Sequence, residues 1–525
     1  MSVESTHPAP VLVVGAGPTG LALALSLARR QVAFRIVDAA RGPGEQSRAM
    51  VVQARTLEFY RQFGLAGQVV DAGVKVHAAH LREARPDGGS EQVLRVDFAD
   101  MGKGQSPYPF LLAYPQDDHE RWLVGQLQGM GVTVEWNTRL QGFSQDDEGV
   151  HARLVHGDGG SETLQVRYLC GCDGVHSVVR EALGLDFAGG TYKQLYYVAD
   201  VTIEGGFQRD LFFNLGRNTL ALMLPVRSRG VQRLIGLVPP SLASAEDAET
   251  TPIDFEDIRA QVEALVGVKV DQLNWFSTYR VHHRVAGHFR RGRAFVLGDA
   301  GHVHSPAGAQ GMNTGIGDAI NLGWKLAQVL DGRADARLLD SYESERIAFA
   351  RQLVASTDAA FKRVVAGGGA GALVRRVLLP LALKLGTRWE RGREVLFRTL
   401  SQIGIHYGDS LLSQGHAGRV SGGDRLPWVA GDGTSAEDNF GPLASLEWQV
   451  HVYGRADTEL AAGCAALRLP LHVFAWNEAA DRAGLARDAV YLIRPDGHVA
   501  LAAEGENLPG QLSGYARARG LRFAG

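Results

Sequence analysis

The chain has 525 residues, which predicts about two to four domains, and apolar residues make up 45% of it, enough for sizeable cores. Its 54 basic and 57 acidic residues give a net charge of −3, so nothing indicates a nucleic-acid partner. The N-terminus lacks the basic and apolar regions of a signal peptide, and no apolar run reaches the roughly 18 residues of a membrane span. Three cysteines predict a reducing, cytoplasmic setting, and Cys170 and Cys172 match neither a redox CxxC nor a zinc motif, so no metal site is expected.

The first motif is a glycine-rich turn between a strand and a helix. A strand is predicted at 11–14, a helix runs to about Arg30, and a second strand at 33–37 ends at Asp38. The turn has the GxGxxG pattern and consists of Gly15, Ala16, Gly17, Pro18, Thr19 and Gly20. In this context the pattern is the dinucleotide-binding fingerprint, in which Asp38 holds ribose hydroxyls. It does not separate FAD from NAD.

The segment after Asp38 carries helical and strand patterns. A helix is predicted at 48–58, where Arg48 and Arg55 are candidate phosphate or ring contacts, and a solvated helix face is the alternative for Arg55. The remaining predictions here are a helix at 118–128 preceded by Gln116, a turn at 142–148, and strands at 93–98, 110–114, 132–136 and 150–155.

Two later turns repeat the order of strand, acid, glycine and helix. In the first, an apolar strand ends at Asp173 and Gly174, and a helix starts close to Ser177. The second belongs to the stretch 294–330, described next. One GxGxxG and two such turns are more nucleotide-contacting turns than a single NAD needs.

The chain is organised around the stretch 294–330. A strand at 294–297 leads to Gly298 and Asp299, then to a loop rich in Gly, Pro and Ser, and to a helix that begins near Asn313. The helix start offers unpaired N–H groups and a partial positive charge, which suit an anion or an electron-rich ring edge. Asp299 can accept hydrogen bonds from sugar or ribityl hydroxyls. An ordinary strand-to-helix turn is the alternative.

The patterns change between and after these turns. An inserted antiparallel sheet that forms a substrate wall is predicted over 186–284, from strands at 196–203, 219–225 and 233–238 and a helix at 254–266. Helices are predicted at 339–360 and, after a glycine-rich break at 367–369, on to about 412, followed by a boundary at 415–423. The tail predicts a separate α/β domain with strands at 448–453, 471–475, 490–494 and 499–501.

Four features stand in order along the chain: GAGPTG with Asp38, Gln116, CDGVHSVVR, and GDAGHVHSPAGAQGMNTG. Together they resemble the class A flavoprotein aromatic hydroxylases, the group of para-hydroxybenzoate hydroxylase and phenol hydroxylase, over about residues 10–350. The tail resembles the thioredoxin-like C-terminal domain of the phenol hydroxylase and polyketide hydroxylase branch, which includes enzymes similar to pentachlorophenol monooxygenase. Its only cysteine is Cys464, so packing or dimerisation is expected there instead of a redox role, and a homodimer is among the expected partners.

The resemblance implies FAD as cofactor and NADPH or NADH as cosubstrate. The residues it implies at the FAD site are Gly15, Gly17, Pro18, Thr19, Gly20, Asp38, Arg48, Gln116, Asp173, Gly298, Asp299, Pro306, Gly311, Met312 and Asn313. Asp173 is also tied to NAD(P)H, and Pro306 lines the place where oxygen reacts. Ala309 stands where the family usually has a second glycine, and it restricts φ where glycine would not.

The implied reaction is hydroxylation of a phenol or another activated aromatic ring by O2, through a flavin C4a-hydroperoxide. A base or a hydrogen-bond donor would help, but no catalytic residue is assigned. The candidates are His302, His304, Tyr279 and the pair His282 and His283, with Pro306 lining the oxygen site, and a structural role is the favoured explanation for each of these His and Tyr side chains. The alternatives are a Baeyer–Villiger or epoxidising enzyme of the same fold acting on a polycyclic or polyketide substrate, and a flavin-binding protein without turnover.

The predicted fold is α/β: a Rossmann-like FAD-binding domain with an inserted antiparallel-sheet substrate domain and a C-terminal thioredoxin-like domain. The expected parts are 1–185 and 285–413 for the FAD-binding domain with a helical region, 186–284 for the substrate domain and 423–525 for the C-terminal domain.

Overall fold

The computed structural model describes residues 9–523 except 46–48, 86–89, 217–218, 227–229, 240–241, 243–252, 306–308, 366–377 and 432–437. Three predictions therefore lie outside the described residues: the roles of Arg48 and Pro306 and the glycine-rich break at 367–369.

The described chain contains runs of strands separated by helices. The strands are β1 Val11–Val14, β2 Phe34–Val37, β3 Val51–Val52, β4 Val74–Val76, β5 Ala78–Ala84, β6 Ser90–Asp97, β7 Leu111–Ala113, β8 Thr138–Gln145, β9 Val150–His156, β10 Ser161–Val166, β11 Tyr168–Gly171, β12 Phe187–Ile203, β13 Leu211–Leu215, β14 Leu220–Val226, β15 Val231–Leu237, β16 Val270–Ala286, β17 Arg290–Arg291, β18 Ala294–Val296, β19 His302–Val303, β20 His416–Ala417, β21 Val420–Ser421, β22 Gln449–Tyr453, β23 Leu471–Phe474, β24 Val490–Ile493 and β25 Val499–Ala503. The α-helices are α1 Pro18–Arg29, α2 Ala54–Gln62, α3 Ala66–Ala72, α4 Phe98–Gly102, α5 Gln116–Gly129, α6 Val178–Ala182, α7 Phe255–Val266, α8 Gly311–Leu330, α9 Asp340–Val365, α10 Leu379–Arg388, α11 Glu390–Leu400, α12 Thr458–Ala466, α13 Glu478–Arg482 and α14 Leu508–Arg519.

A five-stranded sheet in the order β17-β18-β11-β1-β2 forms the centre of the nucleotide-binding part. Strands β18, β11, β1 and β2 are parallel, and only β17 is antiparallel to its neighbour. Each residue of β1 is buried, which explains its uninterrupted apolar sequence. Because the carboxyl ends of parallel strands share one edge, the turns after β1, β11 and β18 lie side by side there.

An eight-stranded sheet in the order β19-β16-β12-β15-β14-β13-β5-β6 forms the second large layer. Strands β12 and β16 have 17 residues each and pair with each other along their length. Every pair in this sheet is antiparallel except β13 with β5. Strands β5 and β6 precede residue 186 in sequence and β19 follows residue 284, so the sheet extends beyond the inserted stretch.

Two early predictions were wrong: a short strand replaces the start of one predicted helix, and one predicted strand does not form. In 48–58, the β-branched pair Val51–Val52 forms β3 against β7, and helix α2 begins only at Ala54. Residues 132–136 form no strand: Glu135 makes a single bridge to Val37, and Asn137, with a φ of 52°, turns the chain away.

Two further boundaries differ from the prediction. The predicted turn at 142–148 is mostly strand, because β8 continues to Gln145 and a β-bulge between Leu140 and Gly142 accommodates the glycine. The helices predicted to reach about residue 412 end with α11 at Leu400, after which the chain is irregular up to β20.

The C-terminal region forms its own four-stranded sheet in the order β23-β22-β24-β25. Strands β22 and β23 are parallel, and the other pairs are antiparallel. The strands predicted in this tail are confirmed, and Cys464 is buried and free, as are Cys170 and Cys172. No helix among the described residues is long and apolar enough to cross a membrane.

The buried imidazole of His119 on α5 predicts acid sensitivity. Burial lowers the pKa of His119 to about 3, so the folded protein keeps this ring neutral, whereas the unfolded chain takes up a proton near pH 6.5. The unfolded state therefore binds more protons below about pH 6.5, and stability falls as the pH is lowered through that window. Between pH 7.5 and 5.5 the loss is about 1.4 kcal/mol from this group. The free energy of unfolding is measured by urea denaturation at both pH values. We expect His119→Gln to reduce the difference between the two free energies by about that amount. An unchanged difference would contradict the assignment to His119.

Candidate functional site

The glycines of the first turn have different surroundings. A Cβ on Gly15, whose φ is 99°, would lie 2.3 Å from the carbonyl oxygen of Cys172, and one on Gly20 would lie 1.9 Å from that of Gly15. A Cβ on Gly17 would meet no atom of the described residues within 4 Å. Gly15 and Gly20 therefore close the turn by packing, while Gly17 borders open space at the start of α1. Pro18 occupies the first turn of α1, where its missing N–H is not needed.

Asp38 ties the end of β2 to this turn. Its Oδ2 accepts a hydrogen bond from the backbone N–H of Ala16 at 2.6 Å, and its Oδ1 accepts one from Ala40 at 2.7 Å. The half-buried carboxylate thus lies beside the glycine turn, where it could accept hydrogen bonds from a ribose.

Asp173 caps helix α6 at the neighbouring turn after β11. Its Oδ1 accepts a hydrogen bond from Ser177 Oγ at 2.5 Å, and its Oδ2 accepts one from the N–H of Val179 at 3.2 Å. Burial raises the pKa of Asp173, although these hydrogen bonds oppose the shift. The carboxylate is therefore held in place by α6 at the edge where Gly15 also lies.

Thr19 joins the starts of α1 and α8. A Cβ on Gly298 would lie 2.5 Å from Thr19 Oγ1, and one on Gly315 would lie 2.2 Å from the same atom. Only glycine at both places lets the first turn of α1, the turn after β18 and the first turn of α8 approach so closely. The two helix starts therefore converge on one region, and Asp299, which is exposed between buried Gly298 and Ala300, belongs to it.

Asn313 fastens the start of α8 to β3 and α2. Its Oδ1 accepts hydrogen bonds from the N–H of Gln53 and from Thr56 Oγ1, both at 2.8 Å. Its Nδ2 donates to the carbonyl oxygens of Val51 at 2.8 Å and Ala309 at 3.1 Å. The Asn313 side chain is thus used inside the protein, and only backbone N–H groups of the first turn, from Gly311 to Asn313, could face a ligand.

Ala309 adopts the strained backbone conformation that its sequence position suggested. Its φ is 52°, in the left-handed region where a side chain costs about 1–2 kcal/mol. The neighbouring Met312 packs against the apolar core of the nucleotide-binding part. The hydrogen bond from Asn313, in the anchored first turn of α8, therefore helps to keep Ala309 in this conformation.

His302 is locked beneath the turn after β18. Its Nε2 lies 2.8 Å from Asp318 Oδ2, the same oxygen that accepts the N–H of Gly298 at 2.9 Å. Arg346 Nε donates to Asp318 Oδ1 at 2.6 Å. Burial raises the pKa of Asp318, but Arg346 and His302 outweigh it and hold the pKa below its ordinary value. His302 thus contributes to a buried ionic cluster that supports the turn.

His304 has a different environment. Its Nδ1 lies 2.7 Å from the carbonyl oxygen of Ser305, which assigns the proton to Nδ1. Its Nε2 is buried without a hydrogen-bond partner among the described residues and would lie 3.7 Å from a Cβ on Gly311. Burial and the nearby His302 lower the pKa of His304 to about 4. At neutral pH the ring therefore presents an acceptor nitrogen towards the start of α8.

The remaining candidates lie on β16 of the eight-stranded sheet. The ring of Tyr279 lies 5.7 Å from that of Tyr196, and His282 Nδ1 lies 2.8 Å from Thr191 Oγ1. The ring of His283 lies 4.7 Å from that of Tyr192. The pairing of β16 with β19 brings this strand next to the segment that leads to His304.

Two other predicted contacts point into the protein. Gln116 Nε2 donates to Glu120 Oε1 at 2.9 Å, and Glu120 Oε2 accepts the N–H of Gly44 at 2.9 Å, so this pair fastens the segment before Arg48 to α5. Arg55 lies on no solvated helix face, because it is 2% exposed and donates to the carbonyl oxygen of Asp496 at 2.8 Å. Sequence reasoning missed this contact with the C-terminal region.

The arrangement fits FAD. The start of α1 beside Gly17 could hold the pyrophosphate, Asp38 the adenosine ribose, and Asp299 the ribityl hydroxyls. The start of α8 could face the electron-rich edge of the flavin ring, where a Cβ on Gly311 would meet the His304 ring and no other described residue within 4 Å. The fold and the residues at this edge therefore fit a flavoprotein, the class that the sequence motifs predicted.

Residues 8–357 match the family model described as FAD binding domain, and the chain belongs to that family. A 6-methylpretetramide 4-monooxygenase from Streptomyces rimosus is 36% identical over 430 residues, which cover 78% of this chain and 72% of the relative. A pentachlorophenol 4-monooxygenase from Sphingobium chlorophenolicum is 31% identical over 425 residues, with 80% and 75% coverage. The crystal structure of CabE, an aromatic hydroxylase from angucycline biosynthesis, has a TM-score of 0.77 and 27% identity, covering 98% of this chain and 100% of CabE.

These similarities confirm the predicted resemblance and the α/β fold. The protein is an FAD-dependent monooxygenase, and NADH or NADPH is the usual cosubstrate of its family. The Baeyer–Villiger and epoxidising alternatives are not favoured by these relatives.

Proposed function

We propose that this monooxygenase hydroxylates a phenolic ring, within a polycyclic aromatic substrate, using O2 and NAD(P)H. The proposal rests on one structural observation, the convergence of the starts of α1 and α8 on Thr19 beside the acceptor nitrogen of His304. The relatives named above, whose names specify a monooxygenase of a pretetramide and one of a chlorophenol, support the substrate class.

Each part of the site has a distinct role in this proposal. The chemistry that FAD would supply when bound is accepting hydride from NAD(P)H and activating oxygen. The N–H groups at the start of α1 bind the pyrophosphate, and Asp38 and Asp299 bind sugar and ribityl hydroxyls. The N–H groups of Gly311, Met312 and Asn313 stabilise negative charge on the ring edge that they face. Arg48, Gln116, Asp173 and Pro306 remain part of the predicted site.

His304 orients the substrate hydroxyl in this proposal. A phenol O–H has a pKa near 10, whereas the imidazolium of His304 has a pKa of about 4. Full proton transfer to His304 would therefore cost about 8 kcal/mol, from a gap of roughly 6 pKa units. The ring is suited to accept a hydrogen bond from the phenol, which draws electron density towards the aromatic ring without forming a free phenolate.

The sheet face towards α9 supplies the substrate wall. Tyr192 and Tyr196 are buried on this face in a cluster that also includes Leu81, Leu215 and Val281. Tyr192 Oη donates to Asp358 on α9 at 2.6 Å, so the wall and the helix are connected. Aromatic and apolar side chains of this kind suit a large, flat ring system.

The test is NADH and NADPH oxidation by the purified flavoprotein with single-ring and polycyclic phenols, followed by product analysis. We expect one phenol class to stimulate oxidation and to gain one oxygen atom. His304→Gln should lower kcat about ten-fold, the loss of one hydrogen bond to the substrate, without changing FAD content. The matched control is His151→Gln on strand β9, where the half-buried imidazole lies 3.0 Å from Asp146, and it should leave kcat unchanged. Cosubstrate oxidation without any oxygenated product from the whole panel would reject the proposed substrate class.

Three points remain predictions from the resemblance. They are the division into domains at 1–185, 186–284, 285–413 and 423–525, the thioredoxin-like character of the C-terminal region, and the homodimer. The cytoplasmic location is supported by the three free thiols, which suit a reducing compartment.

A further inference from the structure

The turn between β24 and β25 of the C-terminal region is buried against the FAD-binding part. Arg494 and Asp496 are each 1% exposed. Nη1 and Nη2 of Arg494 donate to the two carboxylate oxygens of Glu345, on α9, at 2.7 and 3.0 Å. Its Nε and Nη2 donate to Asp496 at 3.0 and 2.5 Å. A hairpin turn that would ordinarily face water thus places two charged side chains, those of Arg494 and Asp496, inside the protein beside the buried Glu345.

The same turn contacts two further helices. Trp324 of α8 donates its Nε1–H to Asp496 Oδ2 at 3.1 Å. Arg55 of α2 donates through Nη2 to the carbonyl oxygen of Asp496 at 2.8 Å. One turn therefore fixes α2, α8 and α9 relative to one another.

Each of these helices leads directly to the FAD site. On α9, Arg346 follows Glu345 and donates to Asp318 at 2.6 Å, and Asp318 holds the N–H of Gly298 at 2.9 Å. The residue before α2, Gln53, donates its N–H to Asn313 at 2.8 Å, in the first turn of α8. The turn after β18 and the start of α8 are thus connected to the C-terminal region by hydrogen bonds and one or two intervening peptide units.

These buried charges do more for geometry than for stability. Glu345 also accepts hydrogen bonds from Asn321, Lys325 and Ser410. Burial raises the pKa of Glu345, but Arg494 and Lys325 outweigh it and hold the pKa far below its ordinary value. An apolar contact of the same volume would often stabilise an interface as well as a buried ion pair does. What a bidentate arginine adds is a fixed orientation of the two elements.

We propose that Arg494 and Asp496 are positioning residues of the FAD site, which set the turn after β18 and the start of α8 from the C-terminal region. The proposal goes beyond the hydroxylase function, because it concerns cofactor binding by a part of the chain outside the matched family region. By linkage, bound FAD stabilises the docking of the β24–β25 turn to the same extent.

The chain offers a matched control. Arg61 of α2 donates to both carboxylate oxygens of Asp438 at 2.7 and 2.6 Å, and thus also joins α2 to the C-terminal region. Its side chain is 30% exposed, and its partner belongs to neither the turn nor α9. Arg61→Gln removes one ionic contact between the two regions and leaves the β24–β25 turn intact.

The experiment compares Arg494→Gln, Arg494→Lys and Arg61→Gln as full-length proteins. FAD is removed and added back, its Kd is measured by fluorescence, and hydrogen exchange of the peptide 294–303 and the visible circular dichroism of bound flavin are recorded. We expect Arg494→Gln to raise the Kd about ten-fold or more, to speed exchange in that peptide and to change the dichroism. Arg494→Lys should recover part of the loss, and Arg61→Gln should match the wild type.

A lower melting temperature of Arg494→Gln with unchanged Kd, exchange and dichroism would overturn the proposal, since the contact would then be only structural. If Arg494→Gln does not fold, Trp324→Phe decides the question, because it removes one hydrogen bond to Asp496 and keeps an aromatic ring in the core. We expect it to raise the Kd about three-fold and to alter the dichroism. Folded Trp324→Phe with wild-type values for both would equally overturn the proposal.

Discussion

Gly17→Val is expected to abolish FAD binding while leaving the apoprotein folded. A Cβ at this position would meet no described protein atom within 4 Å, so the added side chain would project into the space beside the start of α1. Loss of two charge-assisted hydrogen bonds to the pyrophosphate is expected to weaken the affinity for FAD about 100-fold or more. Fluorescence titration of the apoprotein with FAD and the melting temperature of the apoprotein measure the two effects separately.

Gly20→Ala provides the contrast. Its Cβ would lie 1.9 Å from the carbonyl oxygen of Gly15, so the strand and helix must separate even without FAD. We expect the apoprotein to lose about 1–3 kcal/mol of stability from this overpacking. If Gly17→Val destabilised the apoprotein as much as Gly20→Ala does, the space beside Gly17 would not be the FAD site.

Asp318→Asn is expected to destabilise the protein by about 3–5 kcal/mol and to release FAD. The substitution leaves the buried Arg346 without its counter-charge, replaces the carboxylate beside His302 and weakens the acceptor of the Gly298 N–H. Urea unfolding of the apoprotein and FAD content after gel filtration measure the two consequences.

The matched control is Asp200→Asn. Asp200 and Arg233 form an equally buried ion pair, 2.6 Å apart, between β12 and β15 of the eight-stranded sheet. We expect a comparable loss of stability in this variant with FAD affinity near that of the wild type at low temperature. Equal loss of FAD from both variants would show that instability alone releases the cofactor, and the specific role of Asp318 would be wrong.

The parts of the site that depend on local sequence were predictable. The turn after β1, the acid at the end of β2 and the turns at Asp173 and Asp299 each depend on residues within about 20 positions of one another. Strand, glycine and helix signals in such a short stretch specify the backbone almost completely. The start of α8 was predicted for the same reason, within two residues of its observed position at Gly311.

The parts that depend on distant pairing were not predictable from periodicity. Strand β5 pairs with β13, and the paired residues Ala79 and Leu211 are 132 positions apart in the sequence. No local signal specifies that register. Asp318 gave one signal that was overlooked, a lone carboxylate between Ile316 and Ile320 on a buried helix, which requires a buried partner. Arg55 gave no such signal, because nothing in the surrounding sequence distinguishes a buried arginine from a solvated one.

The contact between Arg494 and Glu345 also has a consequence during synthesis of the chain. The two residues are separated by 149 positions, and the ribosome adds about 5–20 residues per second, so about 7 to 30 s pass between them. During this interval helix α9 exists with a carboxylate whose main cationic partner has not been made. Water must remain at this surface until Arg494 has emerged, so stable loading of the cofactor is expected to follow synthesis of the β24–β25 turn.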